Sequence, residues 1–261
     1  AGRCGTVTYT RVELMTVAAS RLLGNDDVCF VGIGLPSAAC NLARHTHAPR
    51  LTLIYESGTI GARPTVLPLS IGDGELSTTA LTTVPVPEIF RYWLQSGRIS
   101  IGFLGAAQID RHGNLNSTVI GDYHHPTVRL PGAGGAAEMA VACGKIFVVM
   151  PQSARTFVER LDFMTTLGHG DGFDHRARLG IHTQGPVCVI TDLCVLEPDP
   201  VSKALTVTTL HPGVAASDVR AATGWPVAFA AHVGETTPPT AAELEVLRAL
   251  DARTAAAHGR T

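Results

Sequence analysis

The chain is predicted to be α/β: one open, mainly parallel sheet flanked by helices, forming a single domain over residues 1–261. Three observations predict this. Short apolar, β-branched runs bounded by glycine or polar clusters recur along the chain, at 28–31, 51–55, 99–105, 145–150 and 187–191. Helical patterns lie between several of them, and the first strand, glycine turn, helix and second strand read as a βαβ unit, which implies parallel pairing. With 261 residues, 45% of them hydrophobic, there is ample material for one large core, and no linker or repeat divides it.

Taken in order, Thr10-Arg-Val-Glu13 is a capping box that opens a first helix. Val12, Met15, Ala19 and Leu22 recur on one face before Gly24 closes it. Val28–Val31 is a short strand, and Gly32 and Gly34 lead into a helix from about Ser37 to His45. These glycines suit a phosphate at a helix start, but the third glycine of a dinucleotide fingerprint is missing. Residues 62–86, with Pro64, Pro68, Pro85 and Gly72-Asp-Gly74, read as an excursion over the mouth of the sheet. Pro87–Leu94 reads as a helix with Ile89, Phe90, Trp93 and Leu94 inward, the aromatic pair serving as core.

Ile99–Gly105 is the next strand, followed by a turn at His112-Gly-Asn114 and a short strand around Thr118–Ile120. A small-residue helix at Ala137–Cys143 precedes the strand Lys145–Met150. Residues 157–169 read as irregular, and Gly168–Gly172 as a mobile polar loop. Val187–Thr191 and Leu205–Thr209 are strands, expected to be joined in hairpin fashion through Glu197–Pro200. A second capping box, Thr240–Glu243, opens the last helix, which turns Leu244, Leu247 and Leu250 inward.

The chemistry centres on Leu51-Thr-Leu-Ile-Tyr-Glu-Ser-Gly-Thr-Ile-Gly61. An apolar strand ends in one acid, Glu56, and ligands of open α/β sheets bind beyond the carboxyl ends of strands. The alternative reading is an acid that caps a neighbouring helix. Pro131-Gly-Ala-Gly-Gly-Ala136 is a second candidate, because a glycine turn that opens a helix offers backbone N–H groups to a phosphate or an oxyanion. A plain tight turn is the competing reading. No G-x-S-x-G elbow competes as nucleophile.

Composition excludes several other classes. A net charge of −2 without a Lys/Arg run argues against nucleic acid or an acidic membrane surface as partner. No apolar run approaches the ~20 residues that span a bilayer, and the first residues carry no signal-peptide pattern, so a cytoplasmic place is expected. Only 16% of residues are charged, which favours a surface covered in part by partners. The six cysteines, Cys4, Cys29, Cys40, Cys143, Cys188 and Cys194, form no C-x-x-C pair and read as free thiols. Asp122, His124 and His125 are one ligand short of a metal site, because adjacent histidines on an extended segment face opposite ways; a loop hydrogen-bonding role is expected, and no metal.

Tyr55-Glu-Ser-Gly58, Gly105-Ala-Ala-Gln-Ile-Asp110 with Gly113-Asn-Leu-Asn-Ser-Thr118, Gly121-Asp-Tyr-His-His-Pro126 and Gly132-Ala-Gly-Gly-Ala136 together resemble the β subunit of family I coenzyme A transferases, in the glutaconate CoA-transferase-like branch. Glu88–Leu94, Thr156–Val158, Gly168–Gly170, Asp174–Arg176, Thr191–Cys194 and Leu210–Gly213 look like the members of that branch that act on 3-oxoadipate. The similarity runs from about Tyr9 to Gly259. It implies the CoA-transferase (NagB/RpiA-like) fold and a ping-pong reaction in which Glu56 attacks an acyl-CoA thioester and then carries CoA. It also implies backbone oxyanion donors at Gly134 and Gly135, no permanently bound cofactor, and a coenzyme A thioester and dicarboxylic acids as substrates. An obligate α subunit would complete the enzyme. Ser57 is a further substrate-binding candidate. Arg63 and Arg129 are candidates for the distal carboxylate of a dicarboxylate, against the alternative of ordinary surface arginines. An acyl-CoA hydrolase on the same scaffold, a transferase for another dicarboxylate such as glutaconate, and a non-catalytic ligand-binding subunit remain the competing functions.

Overall fold

A computed structural model describes residues 8–259, so Cys4 lies outside the described residues. The first half of the chain runs α1 (Arg11–Ser20), β1 (Val28–Phe30), α2 (Leu35–His45), β2 (Thr52–Ile54), β3 (Thr59–Ile60), α3 (Gly74–Thr79), β4 (Thr82–Thr83) and α4 (Val86–Glu88). A π-helical turn (Ile89–Leu94) extends α4, and β5 (Ile101–Leu104), β6 (Gln108–Ile109), β7 (Leu115–Asn116), β8 (Val119–Gly121) and β9 (Pro126–Arg129) follow. The second half comprises α5 (Ala136–Ala142), β10 (Lys145–Val149), α6 (His175–Arg178), β11 (Pro186–Ile190), β12 (Cys194–Pro198), β13 (Leu205–Leu210), α7 (Ala216–Ala221), β14 (Ala228–Glu235) and α8 (Ala241–Ala257).

Ten strands form one sheet in the order β14-β13-β12-β11-β10-β5-β1-β2-β3-β4. The centre is parallel: β1 pairs with β2 and β5, and β10 with β5 and β11. Both flanks contain antiparallel steps, at β2–β3–β4 on one side and β11–β12–β13 on the other. The expected open, mainly parallel sheet is thus present. Strand order reverses direction at β1, whose chain neighbour β2 lies on one side and β5 on the other, the kind of switch point beyond whose strand ends open α/β sheets bind ligands.

Strand alternation sorts the core into two layers. Phe30, Ile54, Ile60, Leu104, Ile146 and Val148 face one side, packed with Met139 of α5 and with Ile89 and Leu94 of the π-helical turn. Cys29, Leu53, Tyr55, Ile101, Phe103 and Phe147 face the other, under Met15 and Ala19 of α1 and Cys40 and Ala43 of α2. Each such aliphatic side chain contributes roughly 1.5–3 kcal/mol on burial. Helix α8 closes the outside of the second layer, with Leu247 against Val17, Ala38 and Leu42.

Both capping boxes form. Thr10 Oγ1 accepts from the Glu13 N–H and Thr240 Oγ1 from the Glu243 N–H, while each glutamate accepts from its cap N–H in return. The inward face of α1 differs from expectation: Leu14, Met15, Val17 and Ala19 are buried, whereas Val12 is 62% exposed. The helix also ends at Ser20, short of Gly24. The connection through Glu197–Pro200 is corrected as well. Glu197 and Pro198 belong to β12, which lies between β11 and β13, and the turn that follows joins β12 to β13.

The Gly168–Gly172 segment is a packed corner rather than a loose loop. Asn114 Oδ1 accepts from the N–H groups of Gly168 and Gly170, and Arg176 donates to the Gly168 carbonyl. A Cβ on Gly168 would come within 2.3 Å of the Gly113 backbone, so glycine there serves close packing. Asp122 has the loop role expected of it, accepting from the N–H groups of His124 and His125.

Candidate active site

Glu56 sits in a hairpin loop between β2 and β3. The Tyr55 N–H donates to the Thr59 carbonyl and the Gly58 N–H to the Tyr55 carbonyl, each at 3.0 Å. Gly58 has φ +107°. This is the three-residue hairpin form in which a turn is followed by one residue of positive φ, a role that glycine fills without steric cost. The Glu-Ser-Gly sequence is therefore a structural unit as well as a chemical one: Gly58 folds the loop and thereby presents Glu56 beyond the carboxyl end of β2. Val84 secures the loop from outside, its N–H donating to the Gly58 carbonyl at 2.9 Å.

The glycine turn at 132–135 comes to meet this loop. Ser117 clamps the turn, its carbonyl accepting from the Gly132 N–H and its hydroxyl donating to the Gly132 carbonyl, both at 2.8 Å. Gly134 is exposed with φ +47°, and Gly135 is the buried N-cap of α5. A Cβ on Gly135 would lie 3.3 Å from Glu56 Oε1 and 2.9 Å from Phe90 Cζ, so the carboxylate and the phenyl ring both rest against this glycine. Among the described residues neither the Gly134 nor the Gly135 N–H donates to a protein acceptor. The arrangement offers a partly buried carboxylate beside free backbone donors at a helix start, where negative charge is favoured.

The other expected site residues are placed less uniformly. Ser57 is the neighbour of Glu56, and its buried hydroxyl has no hydrogen-bond partner among the described residues. Arg63 is exposed, and its place in the chain carries it away from the loop: the Gly61 N–H donates to the Leu53 carbonyl, so β3 runs back towards the start of β2. There Arg63 lies near Arg44, whose pKa is lowered by burial and by the charge of Arg63. Arg129 is held on β9, donating to the Tyr123 carbonyl at 2.9 Å with its guanidinium 5.0 Å from the Tyr123 ring centre. The structure thus brings Glu56, Ser57 and Gly135 together, with Gly134 beside them on the same turn, and sets Arg63 apart.

The sequence pattern assigns Phe90 to the core alone. It does lean on Phe30, with ring centres 6.2 Å apart, yet its other edge faces Gly135 next to the carboxylate. The π-helical turn that carries it is a local departure of a kind often found at functional sites. No sequence pattern distinguishes it from an ordinary amphipathic helix.

The family pattern of coenzyme A transferases matches residues 12–222. The chain is 62% identical to the B subunit of 3-oxoadipate CoA-transferase from Pseudomonas knackmussii, over 97% of both chains. It is 34% identical to the B subunit of glutaconate CoA-transferase from Acidaminococcus fermentans, over 92% of this chain and 91% of that one. The crystal structure of glutaconate coenzyme A-transferase from A. fermentans superposes with a TM-score of 0.87 at 32% identity, covering 92% and 94% of the two chains. The decarboxylase AibA/AibB superposes with a TM-score of 0.81 at 25% identity, covering 94% and 96%, so the scaffold also hosts other chemistry.

Proposed function

Because this chain belongs to the coenzyme A transferase family, we propose that it is the β subunit of an enzyme moving CoA from succinyl-CoA to 3-oxoadipate, with Glu56 carrying CoA between the two acids. The observation that supports this best is the approach of Glu56 Oε1 to the Gly135 backbone. The substrate assignment rests on the name of the Pseudomonas relative, and the α partner on both relatives being named as one subunit of their enzymes.

Glu56 attacks the thioester carbonyl carbon through a carboxylate oxygen, and the C–S bond breaks to release CoA thiolate and leave an acyl-glutamyl anhydride. Thiolate then attacks the glutamyl carbonyl, freeing the first acid and leaving CoA in thioester linkage to Glu56. The acceptor carboxylate attacks that thioester to form a second anhydride, and the thiolate recaptures the new acyl carbonyl, which restores Glu56. No proton need be taken up in any step. A carboxylate is a weak nucleophile towards a thioester, so the barrier falls by positioning and by stabilising the oxyanion. One preorganised N–H donor contributes ~3–4 kcal/mol. The Gly134 and Gly135 N–H groups are assigned that task, with the rest of the donor set coming from the α subunit. Phe90, beside the Gly135 backbone, is placed to keep water from the anhydride and so favour transfer over hydrolysis.

Mass spectrometry of the chain, co-expressed with its α partner and exposed to succinyl-CoA, tests the reading. The expected result is a CoA adduct on the peptide containing Glu56, no adduct in Glu56→Gln, and loss of turnover by more than about 10³-fold in that variant. The chain alone is expected to turn over little. An unlabelled peptide during turnover overturns the mechanism, and steady release of free CoA without an acceptor acid identifies a hydrolase instead. In the same assay Arg63→Ala and Arg129→Ala decide which arginine recognises the distal carboxylate, through a raised KM for the dicarboxylic acid; an unchanged KM in both removes these arginines from that role.

A further inference from the structure

Behind the Glu56 loop lies a cavity of about 230 Å³, walled by Ser57, Thr59, Asp73, Ser77 and Thr83 with Ile71 and Gly72. Two of its wall residues carry an unusual feature. The Ser57 and Thr59 hydroxyl oxygens are both buried, and among the described residues neither has a hydrogen-bond partner. Buried hydroxyls without partners are destabilising, by about 1–3 kcal/mol each, so a native fold retains a pair of them at one place only against some compensation. They flank the nucleophile in sequence, one and three residues after Glu56. Both residues line the cavity.

The lining also selects a chemistry. It contains no cation. Asp73 remains negative, its pKa lowered by hydrogen bonds from the Leu69 and Glu75 N–H groups, so an anion placed beside it would be repelled. Ser77 already donates to the Gly74 carbonyl, whereas the hydroxyls of Ser57 and Thr59 are unpartnered. Two hydroxyl donors without a cation match a neutral carbonyl oxygen. Thr59 precedes Ile60, which faces the Phe30 layer, so by alternation Thr59 and the cavity lie on the opposite flank of the hairpin from Gly135. The thioester substrate has an acyl arm and a CoA arm, one on either side of the carbonyl that Glu56 attacks.

Resting on the assignment of Glu56 as nucleophile, we propose that Ser57 and Thr59 form a subsite for a neutral carbonyl of the thioester substrate, in addition to the oxyanion donors at Gly134 and Gly135. The carbonyl is either the keto group of the acyl arm or the first amide of the CoA arm, which stands a few bonds from sulfur. Both present the same acceptor chemistry.

Steady-state kinetics of Ser57→Ala and Thr59→Val in the co-expressed enzyme test this, with adduct formation on Glu56 measured alongside. Each substitution removes a hydroxyl with little change of volume. The expected result is KM raised roughly fivefold for the CoA thioester of a 3-oxo acid, the value of one lost hydrogen bond, with the Tm unchanged or higher because a partnerless buried group has gone. If the effect disappears for a thioester without the 3-oxo group, the acyl arm occupies the cavity. If it disappears for a short-chain thioester without the amide, the CoA arm does. Unchanged KM for every substrate, or a lowered Tm with an undisturbed KM, overturns the subsite while the adduct keeps the nucleophile assignment intact. Absence of the adduct in the unsubstituted enzyme overturns both.

Discussion

At the scale of single residues, Gly135 is the position where the geometry makes its sharpest demand. Its φ of −81° and ψ of −2° are open to any residue, so the backbone gives no reason for glycine there. Space does: an added Cβ would stand 2.9 Å from Phe90 Cζ and 3.3 Å from Glu56 Oε1. Gly134 is the opposite case, with a positive φ of +47° and nothing within 4 Å of an added Cβ. Alanine at 135 is therefore expected to lower kcat about tenfold to hundredfold by pushing the ring and the carboxylate out of place, on the scale of 1–3 kcal/mol for overpacking. Phe90→Leu in the same chain should restore part of that loss, because it removes the atom in closest conflict. Alanine at 134 should leave the carboxylate where it is and lower stability by about 1 kcal/mol through backbone strain. Parallel measurement of kcat and urea unfolding for the three variants separates these effects. Equal kcat for the 134 and 135 substitutions would falsify the contact on which the proposed mechanism leans.

At the scale of elements, the Glu56 hairpin depends on Gly58 in two ways, since its φ is +107° and an added Cβ would meet the Val84 carbonyl oxygen at 2.0 Å. Gly58→Ala is expected to cost roughly 2–4 kcal/mol, the sum of strain and overlap, and to abolish activity because the loop that presents Glu56 cannot close. Thermal unfolding with the kinetic assay checks this, and a variant with unchanged Tm would show that Val84 does not hold the loop. This stretch was legible in the sequence because a strand of β-branched residues ended in one acid followed by glycine. The central strands and both capping boxes were legible for the same reason: each rests on local pattern. The missed elements lack such a pattern. Strand β14, Ala228–Glu235, is half alanine and glycine and gives no β-branched alternation. Strand β12 ends in Glu197-Pro198, which reads as turn punctuation, yet Pro198 sits at the last position of its strand, where a missing N–H matters least. The Gly168–Gly172 corner reads as loose because glycines usually mark flexibility, whereas here they admit the Gly113 backbone and the Asn114 amide. For the site, sequence supplied Glu56 and the glycine turn, but the meeting of Gly135 with Phe90 joins segments 45 positions apart and needed three dimensions.

At the scale of the whole molecule, stability is expected to fall in two steps as pH is lowered. Burial lowers the pKa of His169 and of His211 below the usual imidazole value. His211 Nε2 donates to the Thr191 carbonyl at 2.7 Å, and in the neutral form that burial favours its Nδ1 accepts from the Thr236 hydroxyl at 2.9 Å. A group whose folded pKa lies below its unfolded one stabilises the fold above the unfolded value, so these histidines lose their contribution as pH falls below about 6.5. Glu243 governs the lower step. Burial opposes its charge, but hydrogen bonds from Arg21 and Thr240 prevail and bring the pKa to about 2, against an ordinary value of 4.5. Its contribution is complete above about pH 4.5 and disappears towards pH 2. Asp110 works in the reverse sense, its pKa raised by burial, and so softens the lower step. The Arg21–Glu243 pair fastens α8 to α1, with Arg21 also donating to the Thr237 and Pro238 carbonyls. Arg21→Met is accordingly expected to lower the unfolding free energy by about 1–2 kcal/mol at pH 7, a few degrees in Tm for a chain of this size. Urea unfolding between pH 7 and pH 3 should show the gap between the two proteins narrowing below pH 4.5 while the fall between pH 6.5 and 5 is common to both. A gap that stays constant down to pH 3 would mean that Arg21 acts through its carbonyl contacts and not through Glu243.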